Sequence, residues 1–393
     1  YDAQMYNPTR LVLAFIKSAV SKGARVANYV EATSLVMDGN HVLGVNALDK
    51  RSGREIVIRG KMVLNAAGPW SEWLLEKSLP AEIVDKGVYS RDACFVIKRR
   101  FSSPRAIAVQ GRTSDPDALL SRPARHLFMV PWRDCTLVGV WHIVWKKTPD
   151  QVTVEQEEIA SFIDEMNWAY PGLQLSLDDV RMWNAGLVPF GENEEGAENL
   201  SYGKRSTFVD HSASDKIDGL VTLIGVRYTT ARGDSSKAID LICSKLRNKS
   251  GQASTETTPL VGGDIEDFDA FANRLHQQQK IGLSLDCVRA LAHNHGTEAT
   301  RIIDMAAQDK IMAQTLGNTH VLKAELVNAV ENEMAFTLAD VVFRRTDLAT
   351  GGNPGDDVLR DSAEFIAQYT GWEEHEINQQ INDVQCRFPA WLQ

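Results

Sequence analysis

Apolar residues recur along the chain with two different periods, and the changes between them divide it into regions. Residues 8–21 carry Leu11, Phe15, Ile16 and Ala19 at three- and four-residue spacing behind Asn7 and Pro8, which predicts a capped helix packed on a sheet. Runs over 26–29, 41–48, 55–58 and 62–66 then alternate or stay apolar, with Asp38-Gly39 and Ser52-Gly53 as turns, and predict a small group of strands. The last run ends in Asn65-Ala66-Ala67-Gly68-Pro69-Trp70. Such small residues leave room for a ligand against the backbone, or for close packing of strand on helix. From about residue 85 to 191 the runs lengthen, over 94–98, 107–110, 126–132, 136–145 and 180–190, with Arg133-Asp134 turning a hairpin. With an amphipathic helix over 154–168 across one face, this predicts a largely antiparallel sheet, a wall on which a small substrate can lie.

The chain is organised around 220–233, LVTLIGVRYTTARG. Leu220, Val221, Leu223 and Ile224 read as a buried strand ending at Gly225; Ala238, Ile239, Leu241, Ile242 and Leu246 then recur at helical spacing. A strand, tight turn and helix aim free N–H groups and the positive end of a helix dipole at whatever lies beyond the sheet. Gly225 permits close approach, Thr229 or Thr230 is placed to cap the helix, and Arg227 adds a fixed cation. The junction suits the N1–C2=O edge of a flavin, which becomes negative on reduction, and equally an ordinary connection with a solvated arginine. Beyond it, the glycine-rich stretch 251–263 marks a domain boundary. Helical patterns over 267–279, 283–293, 298–308, 323–338 continuing to 345, 357–369 and 373–386 follow.

Length and composition narrow the class. The 393 residues allow two or three domains, and 44% hydrophobic with 24% charged residues is a globular composition. A net charge of −10 argues against general nucleic-acid binding while leaving room for a local basic pocket for a phosphate. Five scattered cysteines without a C-x-x-C pair form neither a disulfide framework nor a zinc site, so a reducing cytoplasm is the expected setting. No apolar stretch approaches the roughly 20 residues that cross a bilayer; peripheral attachment stays open. The chain starts at Tyr1 rather than Met and enters a helix almost at once, which leads us to expect further sequence upstream.

Three passages together resemble the FAD-dependent glycerol-3-phosphate dehydrogenases, within the amino-acid-oxidase-like flavoprotein group. They are Tyr1-Asp2-Ala3-Gln4-Met5 through Arg10-Leu11 to Asn65-Ala66-Ala67-Gly68-Pro69-Trp70; Arg205 through Asp210-His211 to Gly225-Val226-Arg227-Tyr228-Thr229-Thr230-Ala231-Arg232; and Val330-Glu331-Asn332-Glu333-Met334-Ala335 through Ala339-Asp340-Val341 to Arg344-Arg345-Thr346-Asp347-Leu348. The third is the specific one, because it is similar to the signature of that family's helical carboxy-terminal domain. The resemblance implies an α/β flavoprotein with a largely antiparallel substrate-domain sheet and an all-α carboxy-terminal domain. It divides the chain into a partial FAD-binding domain (1–84), a substrate sheet (85–200), a return to the FAD-binding domain (201–250) and a helical domain (264–393). The family's G-x-G-x-x-G pyrophosphate motif does not occur here; Gly351-Gly352-Asn353-Pro354-Gly355 reads as a loop. The FAD-binding domain is therefore expected to be partial, and the chain purified alone is expected not to hold FAD tightly.

The family's reaction is hydride transfer from C2 of glycerol 3-phosphate to FAD, giving dihydroxyacetone phosphate, with electrons passed to a quinone, or to oxygen in the oxidase branch. By this resemblance Ala67, Gly68, Gly225, Val226, Arg227, Tyr228 and Thr229 line the flavin, with Arg227 as the catalytic cation, and Arg205 meets the substrate phosphate. His142 and His211 are the candidate bases. Two departures stand out: Val188 occupies the position of a family arginine, and Cys94 falls near that of a histidine on the substrate wall. Losing one arginine–phosphate contact, worth about 1.5–3 kcal/mol, is enough to change substrate preference, so a related polyol phosphate or a hydroxy acid stays open. His293-Asn294-His295 reads as a loop, not a metal site. Glu331, Glu333 and Asp340 read as surface or interdomain ion pairs. Peripheral contact with the inner membrane and a homodimer are further expectations. The alternatives are an amino-acid or hydroxy-acid oxidase of the same group and a non-catalytic binding protein.

Overall fold

Asn7 opens the first helix, α1 (Pro8–Ser21), by accepting the Arg10 backbone N–H at 3.2 Å, as expected of a cap. The face it buries differs from the expected one. Arg10 and Leu13 are buried, whereas Phe15 and Ile16 are exposed, because Arg10 turns inward to an ion pair with Glu333. The computed structural model describes residues 5–81, 84, 87, 89–101, 104–112, 126–189, 206–248, 251, 253–388 and 391.

Next comes an antiparallel meander of β1 (Val30–Asp38), β2 (His41–Asp49) and β3 (Glu55–Arg59), in that order across the sheet. The strand expected over 26–29 begins later, at Val30, after Tyr29 takes a positive φ of 57°. β4 (Val63–Asn65) leads through a short turn of helix, Gly68–Trp70, into α2 (Ser71–Glu76). The chain then forms the five-stranded sheet: β5 (Tyr89–Ile97), β6 (Ile107–Gln110), β7 (His126–Trp132), β8 (Cys135–Trp145) and, after α3 (Gln156–Ala169), β9 (Val180–Pro189). The spatial order is β6-β7-β8-β5-β9 and every neighbouring pair is antiparallel. α3 seals one face, burying Ile159, Phe162, Ile163 and Met166 against Phe95, Leu127, Met129, Val138 and Trp141. At about 1.5–3 kcal/mol per buried large side chain, this packing holds the sheet to its helix. On the opposite, more open face Asp92, Cys94 and His142 stay half-buried.

The chain returns through β10 (Thr207–Asp210), α4 (His211–Ser214) and β11 (Leu220–Ile224), then α5 (Ala231–Lys245). β11 lies between β10 and β4, antiparallel to the first and parallel to the second.

The last region is helical: α6 (Phe268–Gln278), α7 (Leu285–His295), α8 (Ala299–Gln308), α9 (Lys323–Asn332), α10 (Leu338–Asp340), α11 (Asp356–Thr370) and α12 (Glu374–Gln385). Two expectations fail here. His293-Asn294-His295 is the last turn of α7 rather than a loop. The helix expected over 323–345 stops at Asn332, Met334 takes a φ of 54°, and Thr337 and Asp340 cap a new start before a π-helical turn at Val341–Arg345. The break has a polar cause. Glu333 gives both carboxylate oxygens to Arg10 at 2.5 and 3.0 Å, and Asp340 accepts from Tyr29 Oη at 2.7 Å and from the Phe336 and Thr337 N–H groups. These two acids tie the helical region to α1 and to the start of β1. Among the described residues no helix is long and apolar enough to cross a membrane.

Candidate functional site

β4 and β11 run side by side in the same direction, with Leu220 opposite Val63, Val221 opposite Leu64 and Thr222 opposite Asn65. Their carboxyl ends therefore release two loops, 66–70 and 225–230, from one edge. This is where open α/β sheets place ligands. The strand-end bend is built from below by a chain of buried polar groups. Asn65 Nδ2 donates to the Ser71 carbonyl at 3.0 Å and lies 3.5 Å from Thr222 Oγ1, which in turn pairs with His211 Nε2 at 2.9 Å; His211 Nδ1 pairs with Asp215 at 2.7 Å.

The bend itself is open. Ala67, Gly225, Arg227, Tyr228 and Thr229 are exposed, with Gly68 and Val226 half-buried. A Cβ built on Gly225 or on Gly68, where φ is +57°, meets nothing within 4 Å, so neither glycine is required by packing inside the protein. Thr230 precedes α5 as expected, but its hydroxyl donates to the Arg227 carbonyl at 3.2 Å and caps nothing. The N–H groups at the start of α5 are left without a side-chain cap. Two open glycines, an uncapped helix start and the exposed cation Arg227 fit the pyrimidine edge of a flavin, whose reduced form carries negative charge there.

The turn Gly68–Trp70 lies against both β11 and β9, and Trp70 Nε1 donates to Asp150 at 3.0 Å. The bend is thus joined to the end of the five-stranded sheet. Alternation along β5 sends Ala93, Phe95 and Ile97 to α3 and Ser90, Asp92 and Cys94 to the open face. Register aligns Asp92 with His142 on β8 and Gly186 on β9, and Cys94 with Asn184. Ser90 Oγ donates to Asp92 Oδ1 at 2.7 Å. Burial raises the Asp92 carboxyl above its usual range, against the hydrogen bond from Ser90 and the charge of Arg91. Burial likewise pushes the Cys94 thiol up to about 11, so it remains a neutral thiol rather than a thiolate.

His142 and Val188 lie on this open face, while Arg205 falls outside the described residues. His211 is not placed to act as a base. It is 2% exposed and both its nitrogens are engaged beneath the bend, which makes it a support for Thr222. His293 is held between the rings of Tyr6 and Phe268, at 4.2 and 4.0 Å, and no group able to hold a metal ion occurs among the described residues. Ser90 and Asp92 are absent from the sequence-derived candidates. The signal for them is polar residues at every second position of a strand whose other positions are apolar.

A family model described as FAD dependent oxidoreductase matches residues 1–217, and one described as the C-terminal domain of alpha-glycerophosphate oxidase matches residues 253–377. The aerobic glycerol-3-phosphate dehydrogenase of Staphylococcus haemolyticus is 25% identical over 389 residues, covering 95% of this chain and 66% of that protein. The glycerol-3-phosphate dehydrogenase of a Synechocystis species is 26% identical over 402 residues, covering 97% and 69%. The chain spans about two thirds of the length of these curated relatives. Among solved structures, the glycerol-3-phosphate dehydrogenase of Bacillus halodurans complexed with FAD aligns with a TM-score of 0.78 at 25% identity, over 96% of this chain and 72% of that one. With more than half its residues under the first model, and an open cradle at the paired strand ends to match, the chain belongs to the FAD dependent oxidoreductase family.

Proposed function

We propose that the chain forms the substrate side and one wall of the flavin cleft in an enzyme that oxidises glycerol 3-phosphate to dihydroxyacetone phosphate and passes the electrons to a quinone. The observation that carries this reading is the open bend at the parallel ends of β4 and β11, facing the end of the substrate sheet. The curated relatives' names support glycerol 3-phosphate as substrate. When bound, FAD takes up the two electrons and the hydrogen released from C2. Gly225 and Gly68 let the ring lie against the backbone. Arg227 and the uncapped start of α5 hold positive potential at the pyrimidine edge, where they stabilise negative charge. His142, on the open face, is the candidate to receive the C2 hydroxyl proton.

The test is anaerobic addition of glycerol 3-phosphate to the full-length enzyme loaded with FAD. Loss of the oxidised-flavin band is expected, slowed about tenfold or more in Arg227→Ala and restored largely in Arg227→Lys. A band untouched by glycerol 3-phosphate but bleached by sarcosine or another amine refutes the assignment and moves the enzyme to the amino-acid oxidases. Reduction kinetics unchanged in Arg227→Ala remove Arg227 from its role.

A further inference from the structure

Among the described residues of the five strands, the open face of the sheet carries a carboxyl, Asp92, at its middle and Val188 where the resemblance implies an arginine. Among the described residues the five strands contain two basic residues of the Arg or Lys type, Arg91 and Arg181. Arg91 turns to the α3 side, where its Nη1 donates to Glu158 at 2.7 Å and to the Thr153 carbonyl at 2.6 Å. Arg181 stands so close to the helical region that its Cβ lies 2.9 Å from where a Cβ at Gly352 would be. Val188, where the resemblance implies an arginine, contributes an aliphatic surface.

Asp92 occupies the middle of this face. Ser90 holds its Oδ1, and the described hydrogen bonds leave its Oδ2 for another donor. The position beside it on β9 is Gly186, whose missing side chain would meet nothing within 4 Å, so there is space for a small molecule against the Asp92 flank. On the other flank stands His142.

We propose that the Asp92 carboxyl receives the substrate's free terminal hydroxyl, so that glycerol 3-phosphate lies with its hydroxyl end on the open face beside Gly186 and its phosphate turned away from the sheet. This rests on the function proposed above and goes beyond it by assigning orientation and a specificity-determining residue. A hydroxyl donates well to a half-buried carboxyl. A phosphate dianion set against the same carboxyl meets a like charge, and like charges brought together in a poorly screened site disfavour binding strongly.

The experiment compares glycerol 3-phosphate with its 1-deoxy analogue, in which a methyl replaces the terminal hydroxymethyl group, as reductants of the full-length, FAD-loaded enzyme. Wild type is expected to prefer glycerol 3-phosphate by about tenfold or more in kcat/KM, the discrimination of a site built to bond a hydroxyl. In Asp92→Ala that preference falls to within about twofold, and Asp92→Asn, which keeps the shape and one acceptor, retains part of it. A role in folding alone moves both substrates together and leaves the ratio unchanged. An unchanged ratio in Asp92→Ala with a normal flavin spectrum therefore overturns the inference while the proposed function stands. Failure of glycerol 3-phosphate to reduce the wild-type flavin overturns both.

Discussion

Arg10→Ala is expected to be among the most destabilising single changes in the protein, although Arg10 touches no part of the proposed site. Its side chain is 5% exposed and faces Glu333, whose side chain is 0% exposed, through two hydrogen bonds of 2.5 and 3.0 Å. The same guanidinium donates from Nε to the Asn294 carbonyl at 2.8 Å and from Nη2 to His295 Nδ1 at 2.8 Å. Arginine only donates, so His295 Nδ1 accepts, and the imidazole is neutral with its proton on Nε2, given to Glu325 at 3.0 Å. Among the described residues, truncation leaves a buried carboxylate with Lys17, at 3.5 Å, as its remaining ion-pair partner, together with three acceptors that have lost their donor, the Asn294 and Arg345 carbonyls and His295 Nδ1. Breaking such a pair costs about 3–5 kcal/mol. The cost carries a pH signature. Burial pushes the Glu333 carboxyl up, but the charge and hydrogen bonds of Arg10, with Lys17, outweigh it and hold the carboxyl below its ordinary value. In the wild type this stabilisation is present above the unfolded carboxyl value of about 4.3 and is lost as pH falls through the lower folded value. In the variant burial dominates, so protonating Glu333 relieves the defect. The gap in urea midpoint between wild type and Arg10→Ala is therefore widest near neutrality and narrows below about pH 4. The paired variant Arg10→Met with Glu333→Leu is expected within about 1 kcal/mol of wild type or above it. A gap below about 1 kcal/mol at neutral pH, or a pair no better than the single change, refutes the reasoning.

Two further outcomes follow from the same side chains and glycines. Burial raises Glu325 to about 8, so its contribution is complete below the unfolded value of about 4.3 and is lost as pH rises through about 8. Glu325→Gln is expected to flatten that decline in a series of urea midpoints, and an equal slope in both proteins refutes it. Gly225→Val should leave the melting temperature within about 2 °C, because the added atoms enter open space, yet weaken FAD binding about tenfold or more by filling the cradle; unchanged flavin affinity removes Gly225 from the ring's path.

The strand, bend and helix at 220–245 were legible in the chain because each depends on neighbours a few residues away: an apolar run, a glycine, a 3.6-residue repeat. The antiparallel wall and the helical carboxyl region were legible for the same reason. What only the tertiary structure decided are the pairings between residues far apart in sequence. The face α1 buries is set by Glu333, 323 residues away, and that same contact interrupts a helix whose periodicity ran on unbroken. His211 looked like a base until Thr222 and Asp215 were found on its two nitrogens. Asp92 stands between His142 and Gly186 only because register sets it there. Local patterns specify elements because propensity and period act over a turn or a pleat. A buried charge takes its role from whichever distant group the fold brings within about 3 Å, a length no spacing along the chain encodes.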